Sequence, residues 1–325
     1  MIMMPVSLLF RFVVRLRNFL FDIGVLPQKE LPGIVVSVGN IHAGGVGKTP
    51  FVIGICREMR NRGTHVAVLT RGYAHRLDGD ATAVLVNGEF KLGFGFAGDE
   101  AMELSLALPD VPIVVGADRH ATALKVRSMI AEFSNITHWV MDDGFQHRRL
   151  WRDLDIVLLP ADRDLSEERS MPLGMLREQM SSLSRASVVV AVGGNGRPTP
   201  SFPAVVASKS FEKRIVALKQ VAGVHISGSV VPQNTVAVCG LGRPEQFFSD
   251  LRNFGVNPAM TLAFADHHEF EASDFANLPK EMTYLITTRK DFLRSTELFR
   301  NLGRSVYVAE LAMQGPFGEI LAKLQ

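Results

Sequence analysis

Residues 34–49 read IVVSVGNIHAGGVGKT, and their pattern indicates the fold class of the chain. Its first five residues form an apolar, β-branched run typical of a buried parallel strand, and a helical pattern follows over residues 50–62. Between strand and helix lie closely spaced glycines and then Lys48 and Thr49, which is the context of a phosphate-binding loop. Backbone N–H groups and the N-terminus of the next helix hold phosphate oxygens in such a loop. The stretch therefore predicts an α/β fold with a site for a nucleoside triphosphate.

The predicted loop gives roles to individual residues. Lys48 is expected to reach the β- and γ-phosphates, and the Thr49 hydroxyl is expected to bind Mg²⁺. The residues expected to contact the nucleotide are His42, Ala43, Gly44, Gly45, Val46, Gly47, Lys48 and Thr49. His42 departs from the motif G-x-x-x-x-G-K-[ST], because it occupies the position of the first glycine. The opening turn of the loop is therefore expected to have a different shape.

Composition limits the classes of protein to consider. The chain has 325 residues, which is about two domains at a typical ~150 residues each, and 47% of them are hydrophobic, enough for a sizeable core. The formal net charge of +2 argues against a general nucleic-acid-binding protein, which carries a basic excess. Cys56 and Cys239 are too few and too far apart for a disulfide framework, which favours a reducing cytosolic compartment.

Strand and helix patterns divide the chain into parts. Residues 193–200, GGNGRPTP, form the strongest cluster of breakers and are predicted to be the domain boundary. Short strand-like runs at 204–207 and 215–218 are expected to form a connecting hairpin, and beyond them strands alternate with helices in a second, smaller α/β domain. The predicted parts are an N-terminal helix (1–30), a nucleotide-binding domain (31–195) and the hairpin with the smaller domain (196–325).

The N-terminal stretch is more apolar than is usual for a soluble protein. Three arginines interrupt it, so a membrane-spanning helix is not predicted. At helical spacing its polar side chains fall on one narrow stripe: Ser7, Arg11, Arg15, Asn18 and Asp22. Two interpretations stay open. The helix is packed into the core of the protein, or it lies on an anionic membrane surface with its arginines at headgroup level.

Acidic and basic residues follow several of the predicted strands. A phosphate-loop enzyme needs a carboxylate at the end of a neighbouring strand to fix the metal, and Asp142 and Asp143 follow the strand at 139–141. Asp99 and Glu100 open a predicted helix, where carboxylates serve equally well as caps or as catalytic groups. Further arginines follow a strand or a turn, at Arg71, Arg119 and Arg177. Arginine suits bidentate phosphate contacts, but singly these positions decide little.

Taken together, the motifs resemble a known family. They lie at residues 38–40, 44–50, 70–73, 98–100, 142–147, 176–178, 240–244, 247–248, 266–268 and 288–291. This combination resembles the tetraacyldisaccharide 4'-kinase family of lipid A synthesis over nearly the whole chain, and the DDGFQH string at 142–147 is its most specific part. The resemblance implies a P-loop NTPase-like domain, a second, smaller α/β domain with the active site in the cleft between the two, and an N-terminal amphipathic helix.

The resemblance also implies an activity and a location. Members of the family are ATP- and Mg²⁺-dependent kinases that phosphorylate the 4'-hydroxyl of a tetraacylated glucosamine disaccharide 1-phosphate. The family's membrane-associated helix corresponds to residues 4–23, which favours the interfacial interpretation of the N-terminus. We therefore expect a peripheral protein at the cytoplasmic face of the bacterial inner membrane. A nucleic-acid partner and an obligate protein partner are not expected.

Roles carry over from the family by motif. The expected catalytic residues are Asp99 as the base, His267 as its support, Lys48, Asp142 and Asp143. The expected metal ligands are Thr49, Glu100 and Asp142, and the expected substrate or phosphate contacts are Arg71, Arg119, Gln146, His147 and Arg177. Three positions depart from the family pattern: Ala74, Met175 and Arg243. These departures put the shape of the local loops in doubt.

Two rival functions remain at this stage. A membrane-associated switch ATPase of the cell-division or plasmid-partition type would carry the loop K-G-G-x-G-K-T, but Ala43 stands at the position of its first lysine. A metabolic kinase for a soluble substrate would have the N-terminal helix merely buried and would accept substrates that lack acyl chains. The first rival is disfavoured by its missing lysine, and the second depends on where the apolar face of the helix lies.

Overall fold

A computed structural model describes residues 3–72, 82–93, 97–162, 164–193, 207–222 and 234–324. Of the sequence-based expectations, Tyr73, Ala74 and the breaker residues 194–200 lie outside the described residues. The chain forms two compact units. Unit 1 comprises Met1–Lys213 together with Met313–Gln325, and unit 2 comprises Arg214–Ala312. The last residues of the chain therefore belong to the unit that begins at the N-terminus.

Strands make up the centre of both units. They are β1 (Ile34–Gly39), β2 (Val66–Thr70), β3 (Ala83–Val86), β4 (Glu89–Leu92), β5 (Ile113–Val115), β6 (His138–Asp142), β7 (Leu154–Pro160), β8 (Val188–Val192), β9 (Ala207–Ala222), β10 (Thr235–Gly240), β11 (Met260–Phe264), β12 (Tyr284–Thr288) and β13 (Ser305–Gln314). In unit 1 the spatial order is β9-β8-β7-β1-β6-β2-β5-β3-β4. In unit 2 the order is β11-β10-β12-β13, with every neighbouring pair parallel.

Helices connect the strands. They are α1 (Met3–Asp22), α2 (Lys48–Asn61), α3 (Asp99–Ala107), α4 (Arg119–Met129), α5 (Pro244–Asn253), α6 (Arg289–Arg294), α7 (Thr296–Asn301) and α8 (Phe317–Leu321). Helices α5 to α7 belong to unit 2, and the others belong to unit 1. The strand–loop–helix order predicted for residues 34–62 is confirmed by β1 and α2.

Burial explains why the central strands are so apolar. Both faces of β1 are covered, and the side chains of Val36 and Val38 are fully buried. Strands covered on both faces carry continuous apolar runs instead of alternating ones. The strand-like runs at 84–86 and 89–92, joined by Asn87-Gly88, predict a hairpin, and the structure confirms it: β3 and β4 pair antiparallel, and Asn87 and Gly88 have φ angles of 51° and 77°. Such positive φ angles are what the tight Asn-Gly turn requires.

One strand differs from its expectation. The run at 215–218 lies inside β9, a single strand of 16 residues that already includes Ala207. The expected hairpin between these runs is therefore wrong for the described residues, while residues 204–206 lie outside them. Polar residues separate the apolar runs along β9. Because the sequence pattern has its apolar runs at 204–207 and 215–218, it predicts two short strands where the structure has one long strand.

The polar stripe of α1 faces the protein. Its side-chain contacts are Ser7 to the carbonyl of Ser170 (2.9 Å), Asn18 to Glu178 (2.7 Å) and Asp22 to Arg148 (2.8 Å). The apolar face of α1 points outwards, with Leu9 63% and Phe12 61% exposed. Packing of this helix into the core is therefore wrong. Among its arginines, Arg17 departs from the expected position at headgroup level, because it donates to the carbonyl of Gln146 at 2.6 Å. Arg11 and Arg15 are exposed, and their placement at headgroup level stays a prediction.

A helix that spans a membrane must be both long and apolar. Among the described helices, none combines the length and the apolar character that a membrane span requires.

An aromatic cluster joins α2, β9 and α8 within unit 1. Phe51 is fully buried, and its ring centroid lies 5.0 Å from that of Phe211 and 5.1 Å from that of Phe317. We expect Phe51→Ala to lower the free energy of unfolding by about 3–5 kcal/mol, because it removes buried apolar area and leaves a cavity. Urea unfolding followed by circular dichroism measures the loss. Phe254→Ala, at a partly exposed ring, is the control, and equal losses in both variants would contradict this account.

Candidate active site

The loop between β1 and α2 needs glycine at two positions. A β-carbon on Gly39 would lie 2.6 Å from the β-carbon of Phe145, so only glycine lets the end of β1 approach the residues after β6. Gly47 precedes the first residue of α2 with a φ of 89°, a left-handed conformation that other residues adopt at a cost. These two positions set where the loop leaves the sheet and where the helix begins.

The opening of the loop is held by pairing instead of by a first glycine. The N–H of Ala43 donates to the carbonyl of Met175 (2.7 Å), and the N–H of Arg177 donates to the carbonyl of Ile41 (2.8 Å). His42, which replaces the expected glycine, is buried and forms an antiparallel bridge with Leu176. The predicted difference in the opening turn thus has a structural cause: residues 175–178 form a strand-like partner for it.

Lys48 and Arg177 share one carboxylate. The Nζ atom of Lys48 lies 3.3 Å from Oδ1 of Asp143, and Nη1 of Arg177 lies 2.8 Å from Oδ2 of the same residue. Burial alone would raise the pKa of Asp143, but the charges of Lys48 and Arg177 outweigh it, so the pKa lies below its ordinary value. Asp143 is therefore an anion that holds two cations beside the phosphate loop.

Asp142 has the opposite electrostatic environment. Its side chain is buried, and burial, together with the charge of Glu100, raises the pKa of Asp142 to about 7. Arg119 donates to its backbone carbonyl at 3.0 Å. Among the described residues, its Oδ1 atom is buried without a hydrogen-bond partner. A buried carboxylate oxygen of this kind suits a cation or a bound water.

The donor set around Asp142 fits a magnesium ion held together with nucleotide phosphates. Thr49 is in the first turn of α2, and Glu100, in the first turn of α3, is the charge that most raises the pKa of Asp142. Hydroxyl and carboxylate oxygens are typical Mg²⁺ ligands, and Mg²⁺ usually takes only one or two carboxylates beside phosphates and waters. No cluster of three or more His, Cys, Asp or Glu side chains suited to a metal occurs in the part of the chain that the structure describes.

The other expected residues follow strands of the same sheet. Arg71 comes directly after β2 and is exposed, Asp99 is the first residue of α3, and Arg119 is the buried first residue of α4. Because β1, β6, β2 and β5 are parallel neighbours, their carboxyl ends lie at one edge of the sheet. The structure thus brings Lys48, Asp142, Asp143, Arg119 and Arg177 together by direct contacts.

His267 belongs to unit 2. It has a φ of 62°, and Nη2 of Arg294 lies 3.3 Å from its Nδ1 atom. Its expected position beside Asp99 of unit 1 stays a prediction. Gly240, also in unit 2, donates its N–H to the buried carboxylate of Asp291, which likewise accepts from the hydroxyl of Thr288.

Two residues of the DDGFQH string have environments that bear on their expected roles. Burial, followed by the charges of Arg119 and Arg152, lowers the pKa of His147 to about 3, so this side chain is neutral at pH 7. It can therefore contact a phosphate only as a neutral hydrogen-bonding group. Gln146 donates to the carbonyl of Asn40 at 2.9 Å and to Glu178 at 3.1 Å, which uses both of its amide hydrogens.

Sequence reasoning assigned no role to Asn40 and Glu178. Asn40 accepts from Lys48 at 3.4 Å, and Glu178 is buried with Asn18, Gln146 and Arg185 as partners. Both residues lie inside motifs of the family resemblance, at 38–40 and 176–178. Their positions directly after Gly39 and Arg177 could have indicated a role in the site.

Comparison with known proteins shows similarity over nearly the whole chain. The family described as tetraacyldisaccharide-1-P 4'-kinase matches residues 1–324. The tetraacyldisaccharide 4'-kinase of Geobacter metallireducens is 33% identical, over 94% of this chain and 91% of its own length. The enzyme of the same name from Koribacter versatilis is 35% identical, over 96% of this chain and 94% of its own.

A solved structure has the same fold. The crystal structure described as the "apo" form of LpxK from Aquifex aeolicus in complex with ATP superposes with a TM-score of 0.78 at 30% sequence identity. The match covers 98% of this chain and 96% of that one. The expected α/β fold, with a phosphate loop of the P-loop NTPase type and an N-terminal helix, is confirmed.

The raised pKa of Asp142 predicts a pH-dependent cost to stability. The folded state holds the proton up to about pH 7, whereas an unfolded aspartate loses it near pH 4, so wild-type stability falls as the pH rises through this window. At pH 8 we expect Asp142→Asn to have a free energy of unfolding at least about 1 kcal/mol higher than that of wild type, and therefore a higher unfolding temperature. At pH 4 the two proteins should unfold at the same temperature.

Thermal unfolding of the nucleotide-free protein between pH 4 and pH 8 measures this difference. Asp110→Asn, at an exposed position after α3, is the control and should show no such trend. A difference between Asp142→Asn and wild type that does not grow with pH would show that Asp142 is already ionised in the folded protein.

Proposed function

The chain belongs to the tetraacyldisaccharide-1-phosphate 4'-kinase family, and we propose that it transfers the γ-phosphoryl group of ATP to the 4'-hydroxyl of a tetraacyldisaccharide 1-phosphate in lipid A biosynthesis. The observation that carries this proposal is the cluster of Lys48, Asp143 and Arg177 beside the phosphate loop. It supplies two cations, and phosphoryl transfer depends mainly on positioning and on neutralising negative charge.

Binding of the nucleotide follows from the loop geometry. The backbone of residues 42–47 and the N-terminus of α2 receive the β- and γ-phosphates, and Lys48 exchanges its contact with Asp143 for the phosphate oxygens. Thr49, Glu100 and Asp142 would hold Mg²⁺, which supplies charge neutralisation when it is bound. Arg177 remains paired with Asp143 and keeps a guanidinium within reach of the transferred group. Arg71, Arg119 and His147 complete the polar surface that faces substrate and nucleotide.

The transfer step needs a proton acceptor. The oxygen of the acceptor hydroxyl forms its bond to the γ-phosphorus while the bond to the bridging oxygen breaks, and ADP leaves with that electron pair. Asp99 takes the proton of the hydroxyl group, and the resemblance to the family gives His267 a supporting role in this step. Asp99 suits this role because it begins α3, next to the Glu100 that faces the metal-binding carboxylate.

The N-terminal helix explains how a lipid acceptor could reach the active site. We propose that the apolar face of α1, which is exposed in the protein alone, enters the headgroup region of a membrane, and that the protein acts peripherally at the cytoplasmic face of the inner membrane. The kinase for a soluble substrate is disfavoured by this face, because its helix should be covered. The switch ATPase is disfavoured by the family match and by the missing first lysine.

A first prediction concerns the proton acceptor. Asp99→Asn should lower the turnover of phosphate transfer by about 10²–10⁴-fold, the usual contribution of a general base, with the KM for ATP changed less than about threefold. Transfer of labelled γ-phosphate from ATP to tetraacyldisaccharide 1-phosphate in detergent measures both values. Asp110→Asn is the matched control. Unchanged turnover in Asp99→Asn would assign the proton to another group, and no labelled product with wild-type protein would sink the proposed reaction.

A second prediction concerns the membrane. The double variant Leu9→Ser, Phe12→Ser should lower binding to anionic phospholipid vesicles at least about tenfold, since each side chain loses the gain of burial in lipid. Both side chains are exposed in the protein alone, so its thermal stability should stay unchanged. Vesicle co-sedimentation is the measurement, and Met129→Ser, an exposed apolar residue at the end of α4, is the control. Equal binding of the double variant and wild type would exclude α1 as the anchor.

A further inference from the structure

Glu178 has no part in the proposed transfer step, yet it is buried among residues from α1 and from the active site. It belongs to residues 175–178, which pair with the opening of the phosphate loop, and it directly follows Arg177. We propose that Asn18 and Glu178 are positioning residues that couple the docking of α1 on unit 1 to the geometry of the phosphate loop. ATP binding and helix docking then stabilise each other.

The first step of the coupling joins α1 to Glu178. The side-chain amide of Asn18 donates to Oε2 of Glu178 at 2.7 Å, and Arg185 donates to the same oxygen at 2.8 Å. A carboxylate only accepts hydrogen bonds, so the amide of Asn18 has one orientation that fits. Loss of this donor leaves a buried anion with fewer partners, which is costly. The contact therefore fixes the C-terminal half of α1 against residues 175–178.

The second step joins Glu178 to the phosphate loop. Its Oε1 accepts from Nε2 of Gln146 at 3.1 Å, and the same amide nitrogen donates to the carbonyl of Asn40 at 2.9 Å. The side chain of Asn40 accepts from Lys48 at 3.4 Å and donates to the carbonyl of His42. Two side chains thus connect Asn18 of α1 with the first residue after β1, and that residue contacts the phosphate-binding lysine.

A parallel set of contacts acts on the DDGFQH string. Nη2 of Arg17, also on α1, donates to the carbonyl of Gln146 at 2.6 Å. The guanidinium of Arg185, which holds Glu178, lies over the ring of Phe145 at 4.4 Å from its centroid. Asp142 and Asp143 lie in the same string. The contacts that dock α1 therefore connect it both to Lys48 and to Asp143, the carboxylate partner of Lys48.

Energetic coupling follows from this network. Groups within one hydrogen-bond network are energetically dependent on each other, and coupling between two binding events is reciprocal. The docked helix favours the loop geometry that accepts phosphate, and bound ATP favours the docked helix. The inference rests on the proposed function for the identity of the nucleotide, and it deepens that function: the helix that reaches the lipid surface also sets the affinity of the ATP site.

Exchanging donor and acceptor tests the coupling. Asn18→Asp sets two carboxylates against each other, and Glu178→Gln turns an amide NH₂ towards Gln146 or Asn18, both of which donate. Each single variant should raise the Kd of ATP, measured by calorimetry with Mg²⁺ present, by about fivefold or more, the lower range of coupling between protein sites. The double variant restores a donor–acceptor pair between positions 18 and 178 at unchanged net charge, but Arg185 loses the carboxylate that it contacts at position 178, so the Kd should lie between those of the single variants and that of wild type.

Hydrogen exchange gives the reciprocal measurement. In wild type and in the double variant, ATP should slow the exchange of the backbone amides of α1, and in the single variants it should not. Asn253→Asp, at the exposed last residue of α5, makes the same chemical change away from the network and serves as the control.

Three results would overturn the coupling: unchanged Kd values in the single variants, a double variant no better than the singles, or α1 exchange in wild type that ignores ATP. The last needs no variant, so it holds even if a substitution prevents folding. Since ATP binding is measured without lipid acceptor, a failure of the coupling is distinguishable from a failure of the proposed transfer reaction.

Discussion

The parallel pairing of β1 with β6 and β7 is the constraint on which the site depends. Because parallel strands end at the same edge, the phosphate loop after β1 meets the acidic pair after β6 without any further device. The approach is close enough that Gly39 has no room for a β-carbon beside Phe145. A small shift in the register of these strands would separate Lys48 from Asp143, so the chemistry of the site is set by the order of the sheet.

Two adjacent carboxylates have opposite electrostatic roles at this edge. Asp143 faces Lys48 and Arg177, which hold its pKa low, whereas Asp142 is buried beside Glu100, which raises its pKa to about 7. The difference arises from the surroundings, since the two side chains are chemically identical. One carboxylate keeps the cations of the site in place, and the other is suited to a cation that arrives with the nucleotide.

An ordinary amphipathic surface helix turns its apolar face to the protein and its polar face to solvent, and α1 does the opposite. Its narrow polar stripe makes hydrogen bonds to the protein through residues such as Ser7 and Asn18, and its wide apolar face is exposed. Such a helix is stabilised on the protein by polar contacts and leaves its hydrophobic area exposed, as the proposed contact with a lipid surface requires. The same polar contacts lead to Gln146 and the phosphate loop, so one helix serves both sides of the proposed reaction.

Local features could be predicted from the amino-acid sequence alone: the strand–loop–helix around Lys48, the Asn87-Gly88 hairpin and the acidic pair after β6. Each depends on backbone preferences and side-chain spacing within a few residues. Three features depend on contacts between distant segments and could not be predicted: which way α1 faces, that β9 is one strand, and that Glu178 joins α1 to the active site. Helical periodicity shows a stripe but not its partner, and Asn18 and Glu178 meet across 160 residues of chain, a distance at which no local pattern specifies a contact.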